Sequence, residues 1–539
     1  MGYELIEHTI PEQLQIASGK YKENLAYIFP DEEKKMTFGD MKIKADRVAK
    51  ALLALGLRHG DHIGIWSINC SAWVELLYGA ATIGVITVPL NTCYQYQELD
   101  DLCLRGEVQT LFVMSECKGK SCQPITDQFF EKGQIKEKYT RLKQVVSLGK
   151  YAEFPYISWE DFLEGAKKVS DEILQQEAAK VKKEDDYLIQ YTSGTTSKPK
   201  GAILYQRGVL NTAKAYGTLL HMEEEDCTCV PLPLFHCFGN ILTLLGGLIS
   251  GSTTMYLGYF SPKRMLSLME QEKCTCMMGV PTMYFSMLET PEFHKYGLSH
   301  LTKAGIGGAL CPKELCKRIS DGFGISGLII GYGLSEAASL CTLSDISDPE
   351  EIRLGSVGRA LPGLEVSLAD GNGKESREVT EGEFLIRGYG VMKGYYRDPD
   401  HTRNALDSNG WLHSGDLGRR NADGTFQVIG RVKDIIIKGG ENISPGDIEE
   451  KLLTMEGVAQ CQCVGVEDSK YGEVVCACII SKDRRQIGLE EVRGFLKFRI
   501  ACYKIPDHVL MMEEFPVNGA GKVLKNKLTE QANQVFSGK

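Results

Sequence analysis

Residues able to grip an anion are concentrated in one stretch, Tyr191 to Leu204, which reads Tyr-Thr-Ser-Gly-Thr-Thr-Ser-Lys-Pro-Lys-Gly-Ala-Ile-Leu. Thr192, Ser193, Gly194, Thr195 and Thr196 supply hydroxyl donors and closely approachable backbone amides, and Lys200 supplies positive charge, a set suited to wrapping phosphate. A flexible polar linker has the same composition. The Walker phosphate loop is excluded: it needs Gly-Lys followed by Ser or Thr, and the order here is Lys198-Pro199-Lys200-Gly201. A second group, Gly331-Tyr-Gly-Leu-Ser-Glu-Ala337, brings an aromatic ring, a hydroxyl and a carboxylate together. Tyr332 can stack on a base, Ser335 can donate to phosphate, and Glu336 can hold Mg2+, a hard cation that takes carboxylate and phosphate oxygens.

Four further stretches carry chemistry-bearing residues. Ala304-Gly-Ile-Gly-Gly-Ala309 sets Gly307, Gly308 and Ala309 beside an apolar strand-like segment, where glycine lets a ligand approach the backbone; its spacing is not that of a dinucleotide fold. Gly410-Trp-Leu-His-Ser-Gly-Asp416 presents a carboxylate in a turn. His236 and Phe238 lie in Pro-Leu-Phe-His-Cys-Phe-Gly239, inside a run from Cys227 to Pro262 without Asp, Glu, Lys or Arg. That run reads as an apolar tunnel or as plain core. Lys522 closes Pro-Val-Asn-Gly-Ala-Gly-Lys522, between glycine-rich chain and a basic tail of Lys525 and Lys527; by itself it is a solvated lysine.

The elements that must position these groups alternate in type. Phe38, Met41, Ala45, Val48, Ala49, Leu52 and Leu55 recur at helical spacing, with Gly56 where a helix would end. Strands are predicted at His62–Ser67, Val85–Pro89, Thr110–Val113 and Tyr187–Tyr191, with helices around Trp73–Ala81 and Tyr96–Leu104. Such alternation builds parallel sheet from βαβ units, and ligands bind at the carboxyl ends of parallel strands. Beyond Asp345 the texture changes to short strands with glycine turns, a small β-rich region. The last stretch reads β-β-α-β, from Ala459 to Met512.

A chain of 539 residues exceeds one hydrophobic core and predicts at least two domains. The formal charge of -10 argues against nucleic acid as the main partner, since phosphate backbones are bound by clustered Lys and Arg. The N-terminus carries acids where a secretory signal carries Lys or Arg, so a cytoplasmic protein is expected. The uncharged run is broken by prolines and paired glycines, leaving a helix of about 12 residues, more typical of core than of a membrane span. The 18 cysteines include alternating pairs such as Cys461 with Cys463 and Cys476 with Cys478. They lack the Cys-x2-Cys spacing of structural zinc and read as small buried hydrophobes in a reducing compartment.

Taken in order, these motifs resemble the adenylate-forming superfamily of acyl-CoA synthetases, firefly luciferase and peptide-synthetase adenylation domains, over nearly the whole chain. The overall pattern looks most like medium-chain fatty acyl-CoA synthetases. The resemblance implies an α/β fold: a large N-terminal domain (1–430) of βαβ-type sheets with a β-rich subdomain (345–430), a hinge (431–434), and a small mobile α+β C-terminal domain (435–539). It implies ATP, Mg2+ and CoA as co-reactants, a small carboxylic acid as substrate, no integral membrane segment, and leaves a homodimer open. Thr192, Ser193, Gly194, Thr195, Thr196 and Lys200 would hold the ATP phosphates, with Gly308, Ala309, Tyr332, Ser335, Asp416 and Arg431 around the rest of the nucleotide. Glu336 would carry the metal, and Lys522, Glu336 and Lys200 would be catalytic. His236, Phe238, Gly307, Gly331, Gly333 and Ala337 would line the acyl pocket. Lys433 would be the hinge, and Gly439, Gly440 and Glu441 would meet CoA. Gly430-Arg-Val-Lys-Asp-Ile-Ile-Ile-Lys-Gly-Gly-Glu-Asn-Ile-Ser-Pro445 carries these last assignments. One position departs from the family: Ser197 stands where glycine is usual. Aryl acids, a carrier-protein thiol in place of CoA, and a nucleotide-binding member without turnover are the alternative readings. Lys522→Ala is expected to abolish adenylate formation while sparing thioester formation from supplied acyl-adenylate; equal loss in the two separate assays would contradict the assignment.

Overall fold

The computed structural model describes residues 3–149, 155–192, 199–309, 311–439, 441–497, 499–518 and 523–536. Of the residues singled out above, Ser193, Gly194, Thr195, Thr196, Ser197, Gly440 and Lys522 lie outside the described residues.

The helical period at Phe38 folds as the helix Phe38–Ala54, opened by a reciprocal capping box between Thr37 and Asp40, and Gly56 follows in the left-handed conformation at φ 92°. The strands foreseen from His62 onward form as His62–Trp66, Ile86–Pro89, Thr110–Val113 and Asp186–Thr192, with the helices Ser71–Thr82 and Tyr96–Arg105 between them. They join a seven-stranded sheet in the order Ile157–Ser158, Gln144–Ser147, Thr110–Val113, His62–Trp66, Ile86–Pro89, Asp186–Thr192, Lys200–Tyr205. All its pairs are parallel except the last. A nine-stranded sheet has the order Lys34–Thr37, Leu25–Phe29, Thr253–Tyr256, Cys227–Val230, Cys276–Gly279, Lys303–Ile306, Gly327–Tyr332, Thr342–Leu343, Arg359–Ala360. Its six central strands are parallel.

The β-rich region is a five-stranded antiparallel sheet whose last two strands are Leu412–Arg420 and Phe426–Arg431. A separate sheet follows from Ile436–Lys438 to His508–Met511, covered by the helices Pro445–Leu452, Leu489–Leu496 and Lys525–Phe536. The chain is therefore mixed α/β, with a large N-terminal and a small C-terminal domain. The uncharged run becomes a π-helical stretch, Phe238–Thr243, and a short helix, Leu244–Ser250, with Leu244, Leu245 and Leu248 fully buried. No described helix is long and apolar enough to cross a membrane. Cys461, Cys463, Cys476 and Cys478 are all buried in the paired strands Val458–Asp468 and Gly472–Ser481.

One side chain stitches the two large sheets together. Asn69, 6% exposed just beyond His62–Trp66, donates to the carbonyls of Leu232 and Leu257 at 2.9 and 2.8 Å and accepts from the Leu234 N–H at 2.7 Å. Those partners follow the strands Cys227–Val230 and Thr253–Tyr256 of the other sheet. Asn69→Ala leaves buried backbone groups unsatisfied and is expected to cost about 3 kcal/mol, read as a lowered unfolding midpoint in urea.

Candidate active site

The carboxyl ends of both parallel sheets open onto one cleft with a cavity of about 1850 Å3. Thr192 and Lys200 enter it as paired ends of adjacent antiparallel strands, tied by a Thr192 Oγ1 bond to the Lys200 carbonyl at 3.4 Å. The base of this hairpin is held from outside. Arg105 donates to the Pro199 carbonyl at 2.8 Å and packs its guanidinium over the Tyr191 ring, while Asp101 receives the rest of its fork at 2.9 and 2.6 Å.

Across the cleft, Tyr332 ends the strand Gly327–Tyr332, and its ring stacks on Phe384 with centroids 4.6 Å apart. Phe384 belongs to the antiparallel sheet and lies directly over Gly418, where a Cβ would come within 2.3 Å of the ring. The Tyr332 hydroxyl donates to Asp416 Oδ2 at 2.9 Å, and Arg431 Nε lies 3.0 Å from Asp416 Oδ1. Asp416 and Arg431 face each other on neighbouring strands, so strand register alone creates the ion pair. Burial, aided by the Asp416 charge, pushes the Tyr332 hydroxyl far above its ordinary range, which keeps it a donor. A carboxylate offers about four acceptor sites; the two bonds leave Asp416 capacity for a pair of vicinal hydroxyls.

Glu336 lines the same cleft, beside the Thr192 and Lys200 strands. Its Oε1 accepts the Tyr395 hydroxyl at 2.9 Å, and its other carboxylate oxygen has no hydrogen bond among the described residues. Mg2+ is commonly held by one or two carboxylates plus substrate phosphates rather than by a protein cage. A single carboxylate beside Thr192 and Lys200 in one cleft fits that donor set, and no group of three or more His, Cys, Asp or Glu that could hold a metal ion occurs among the described residues. Lys200 Nζ sits 4.7 Å from the Tyr395 ring centroid.

Deeper in, Met278, Gly305 and Ile329 lie in register on three adjacent strands, and Gly307 and Gly331 come two residues later. The Met278 thioether lies over Gly305, 2.5 Å from where a Cβ would be, and the Phe238 ring lies over Gly307 at 3.3 Å. Two adjustable side chains therefore fill a glycine-floored trough. Gly331 and Gly333 also line the cleft, but their missing Cβ atoms face the Leu340 side chain at 2.7 Å and the Ser339 carbonyl at 2.1 Å; backbone packing demands Gly333, whereas Gly331 makes room for side chains. Gly308 needs its left-handed φ of 77°, and Ala309 follows it on the wall. His236 Nδ1 accepts the Phe238 N–H at 3.2 Å, so a neutral ring carries its proton on Nε2. The neighbouring Cys237 thiol lies 3.5 Å from Ser335 Oγ. Burial pushes that thiol up, but the His236 charge and bonds from His236, Ser339 and Ser335 outweigh it and bring it below the usual range.

Not every foreseen residue converges here. Ala337 is fully buried and does not line the cavity, and Gly439 and Glu441 lie off it in the hairpin Ile436–Ile443. Lys433 does line it, in the turn Val432–Asp434 just after Arg431; burial, with Arg431 nearby, draws its ammonium below the usual lysine range. Lys525, read from sequence as part of a basic tail, instead pairs with the buried Glu449 at 2.8 Å. Sequence reasoning missed Tyr395, Phe384, Met278 and Arg105. Only the Gly-Tyr-Tyr of 394–396 offered a signal, an aromatic pair after a glycine.

The AMP-binding enzyme family profile matches residues 14–396, and that of the AMP-binding enzyme C-terminal domain matches residues 447–522. YngI of Bacillus subtilis (strain 168), provisionally named an acyl-CoA synthetase, is 36% identical over 542 residues and 99% of each chain. The medium-chain acyl-CoA ligase ACSF2, mitochondrial, of Danio rerio is 32% identical over 549 residues, 99% of this chain and 90% of its own. Among solved structures, ATP-bound MatB from Rhodopseudomonas palustris is similar with a TM-score of 0.83 at 26% identity, over 98% of this chain and 100% of that one. Asp416→Asn is expected to weaken AMP binding by about 2 kcal/mol, roughly 30-fold, the scale of a charged hydrogen bond; a calorimetric change below threefold would separate Asp416 from the nucleotide.

Proposed function

We propose, from the premise that the chain belongs to the AMP-binding enzyme family, that it is an AMP-forming acyl-CoA synthetase acting on a medium-chain fatty acid. The observation that carries this reading is the opposition, across one cleft, of the Tyr332–Asp416–Arg431 cluster and the Glu336–Tyr395–Lys200 cluster. One can seat a nucleoside and the other its phosphates.

A carboxylate is a poor electrophile, and attack of its oxygen on the α-phosphate of ATP converts it into a mixed anhydride with loss of pyrophosphate. The obstacle is electrostatic, since two anions must meet while charge grows on the departing group. Tyr332 and Ser335 border the base and α-phosphate, Asp416 and Arg431 hold the ribose, and Gly308 and Ala309 give the nucleotide close access to backbone. Thr192 and Lys200, with Ser193, Gly194, Thr195 and Thr196, hold the β- and γ-phosphates. Mg2+ bound at Glu336 supplies further charge neutralisation. Lys522 acts on the carboxylate and α-phosphate as a charge and not as a base, because the nucleophile has no proton to lose.

In the second half-reaction the CoA thiolate attacks the adenylate carbonyl, a thioester bond forms, and AMP leaves; no protein nucleophile is required. The C-terminal domain turns about Lys433 to withdraw Lys522 and to present Gly439, Gly440 and Glu441 to CoA. The trough from Gly308 inward to Gly305, walled by Met278, Ile329 and Leu242, supports an apolar acyl tail. A medium-length chain is the reading in line with the ACSF2 relative. The free thiols among the described residues support a reducing, cytoplasmic setting.

The test is pyrophosphate release with ATP and a panel of straight-chain and aryl acids, with and without CoA. The expected result is release for medium-chain acids and CoA-dependent AMP production. No release with any acid would reject the enzyme, a preference for aryl acids would reassign the substrate, and CoA-independent AMP production would point to a carrier-protein thiol.

A further inference from the structure

We propose that Tyr395 is a positioning residue that keeps the Glu336 carboxylate and the Lys200 ammonium close together without letting them neutralise each other. The proposal rests on the adenylation reading for its purpose, but the geometry is independent of the acid. Left adjacent, a lysine and a glutamate would pair directly, and each would lose the charge needed for phosphate or metal. Here Tyr395 stands between them. Its hydroxyl occupies Glu336 Oε1 at 2.9 Å, and its ring face receives Lys200 Nζ at 4.7 Å, while Lys200 and Glu336 form no ion pair with each other. A cation over an aromatic face keeps its full charge, at a modest energy that grows when the site is desolvated.

The backbone gives Tyr395 the rigidity this role needs. Ala202 and Tyr395 form an antiparallel bridge, extended by Lys393 N–H to the Ile203 carbonyl, Ile203 N–H to the Gly394 carbonyl, and Tyr396 N–H to the Gly201 carbonyl, at 3.0, 3.0 and 2.7 Å. Residues 393–396 thus run along the strand that starts at Lys200. The Tyr395 N–H is held by Thr402 Oγ1 at 2.8 Å, and the Met392 N–H binds the Glu336 carbonyl at 2.8 Å. One segment therefore grips Glu336 twice, through backbone and side chain, and the base of the phosphate hairpin along its length. The ring is 7% exposed. Burial, and secondarily the Glu336 charge, raises its hydroxyl well above the ordinary range, so it remains a donor.

A tyrosine that merely filled space would be replaced by phenylalanine without effect on ligands. Tyr395→Phe keeps the ring under Lys200 and removes the bond to Glu336; Tyr395→Leu removes both. Mn2+ binding in the presence of a non-hydrolysable ATP analogue, followed by electron paramagnetic resonance, reads the carboxylate. Calorimetric binding of the metal-free analogue reads the lysine, and thermal unfolding checks the fold. Tyr395→Phe is expected to weaken Mn2+ about 10-fold, the scale of a hydrogen bond to a charged group, with metal-free analogue binding within twofold of wild type. Tyr395→Leu is expected to weaken both. Mn2+ affinity of Tyr395→Phe within twofold of wild type, no Mn2+ binding by the wild type, or identical behaviour of two folded variants would each overturn the proposal. Should Tyr395→Leu not fold, Tyr395→Phe decides alone. Failure of the adenylation reading is distinguishable, because it leaves the wild type binding metal and analogue but releasing no pyrophosphate with any acid.

Discussion

The Asp416 carboxylate is the point on which the architecture turns. It is 8% exposed, and a charge so placed persists only where partners and hydrogen bonds compensate its lost hydration. Tyr332 comes from the nine-stranded sheet and Arg431 from the next strand of the antiparallel sheet, so satisfying one carboxylate fixes two sheets against each other. Arg431 is also the last residue before the turn Val432–Asp434, through which the chain passes to the C-terminal domain. The same ion pair therefore sets where the second domain departs.

Legibility in the sequence followed the range of the physics. The βαβ elements were readable because a buried parallel strand and an amphipathic helix announce themselves within a few residues: Thr110–Val113 forms over the foreseen span and Phe38–Ala54 stops beside its glycine. Glu336, Asp416 and Arg431 were readable through motifs whose order resembles a family. Partners across sheets were not. Nothing local tells that Phe384 will stack on Tyr332, or that Tyr395 will reach a carboxylate 59 positions earlier, because these contacts follow from how two sheets pack. Lys525 shows the same limit from the other side: its neighbours suggest a solvated tail, and only the fold brings buried Glu449 to it.

Glycine-rich motifs carry two meanings that composition does not separate. Gly305 and Gly307 clear space that Met278 and Phe238 now occupy and can vacate. Gly333 clears space for the protein's own backbone at 339 and 340. A flexible thioether over a bare strand is adaptable filling, whereas a carbonyl 2.1 Å from an absent Cβ allows nothing larger than hydrogen. The trough is thus soft at its inner end and rigid at Gly333, next to Tyr332.

The stack of Gly418, Phe384 and Tyr332 extends the site through a layer of pure packing. A methyl group at Gly418 would occupy the place of the Phe384 ring and push it toward Tyr332, in an interior that transmits such displacements because it is close-packed. Inherited variation at Gly418 would reach the Tyr332–Asp416 bond without touching it, so purifying selection should treat this structural glycine as it treats the residues that line the cleft.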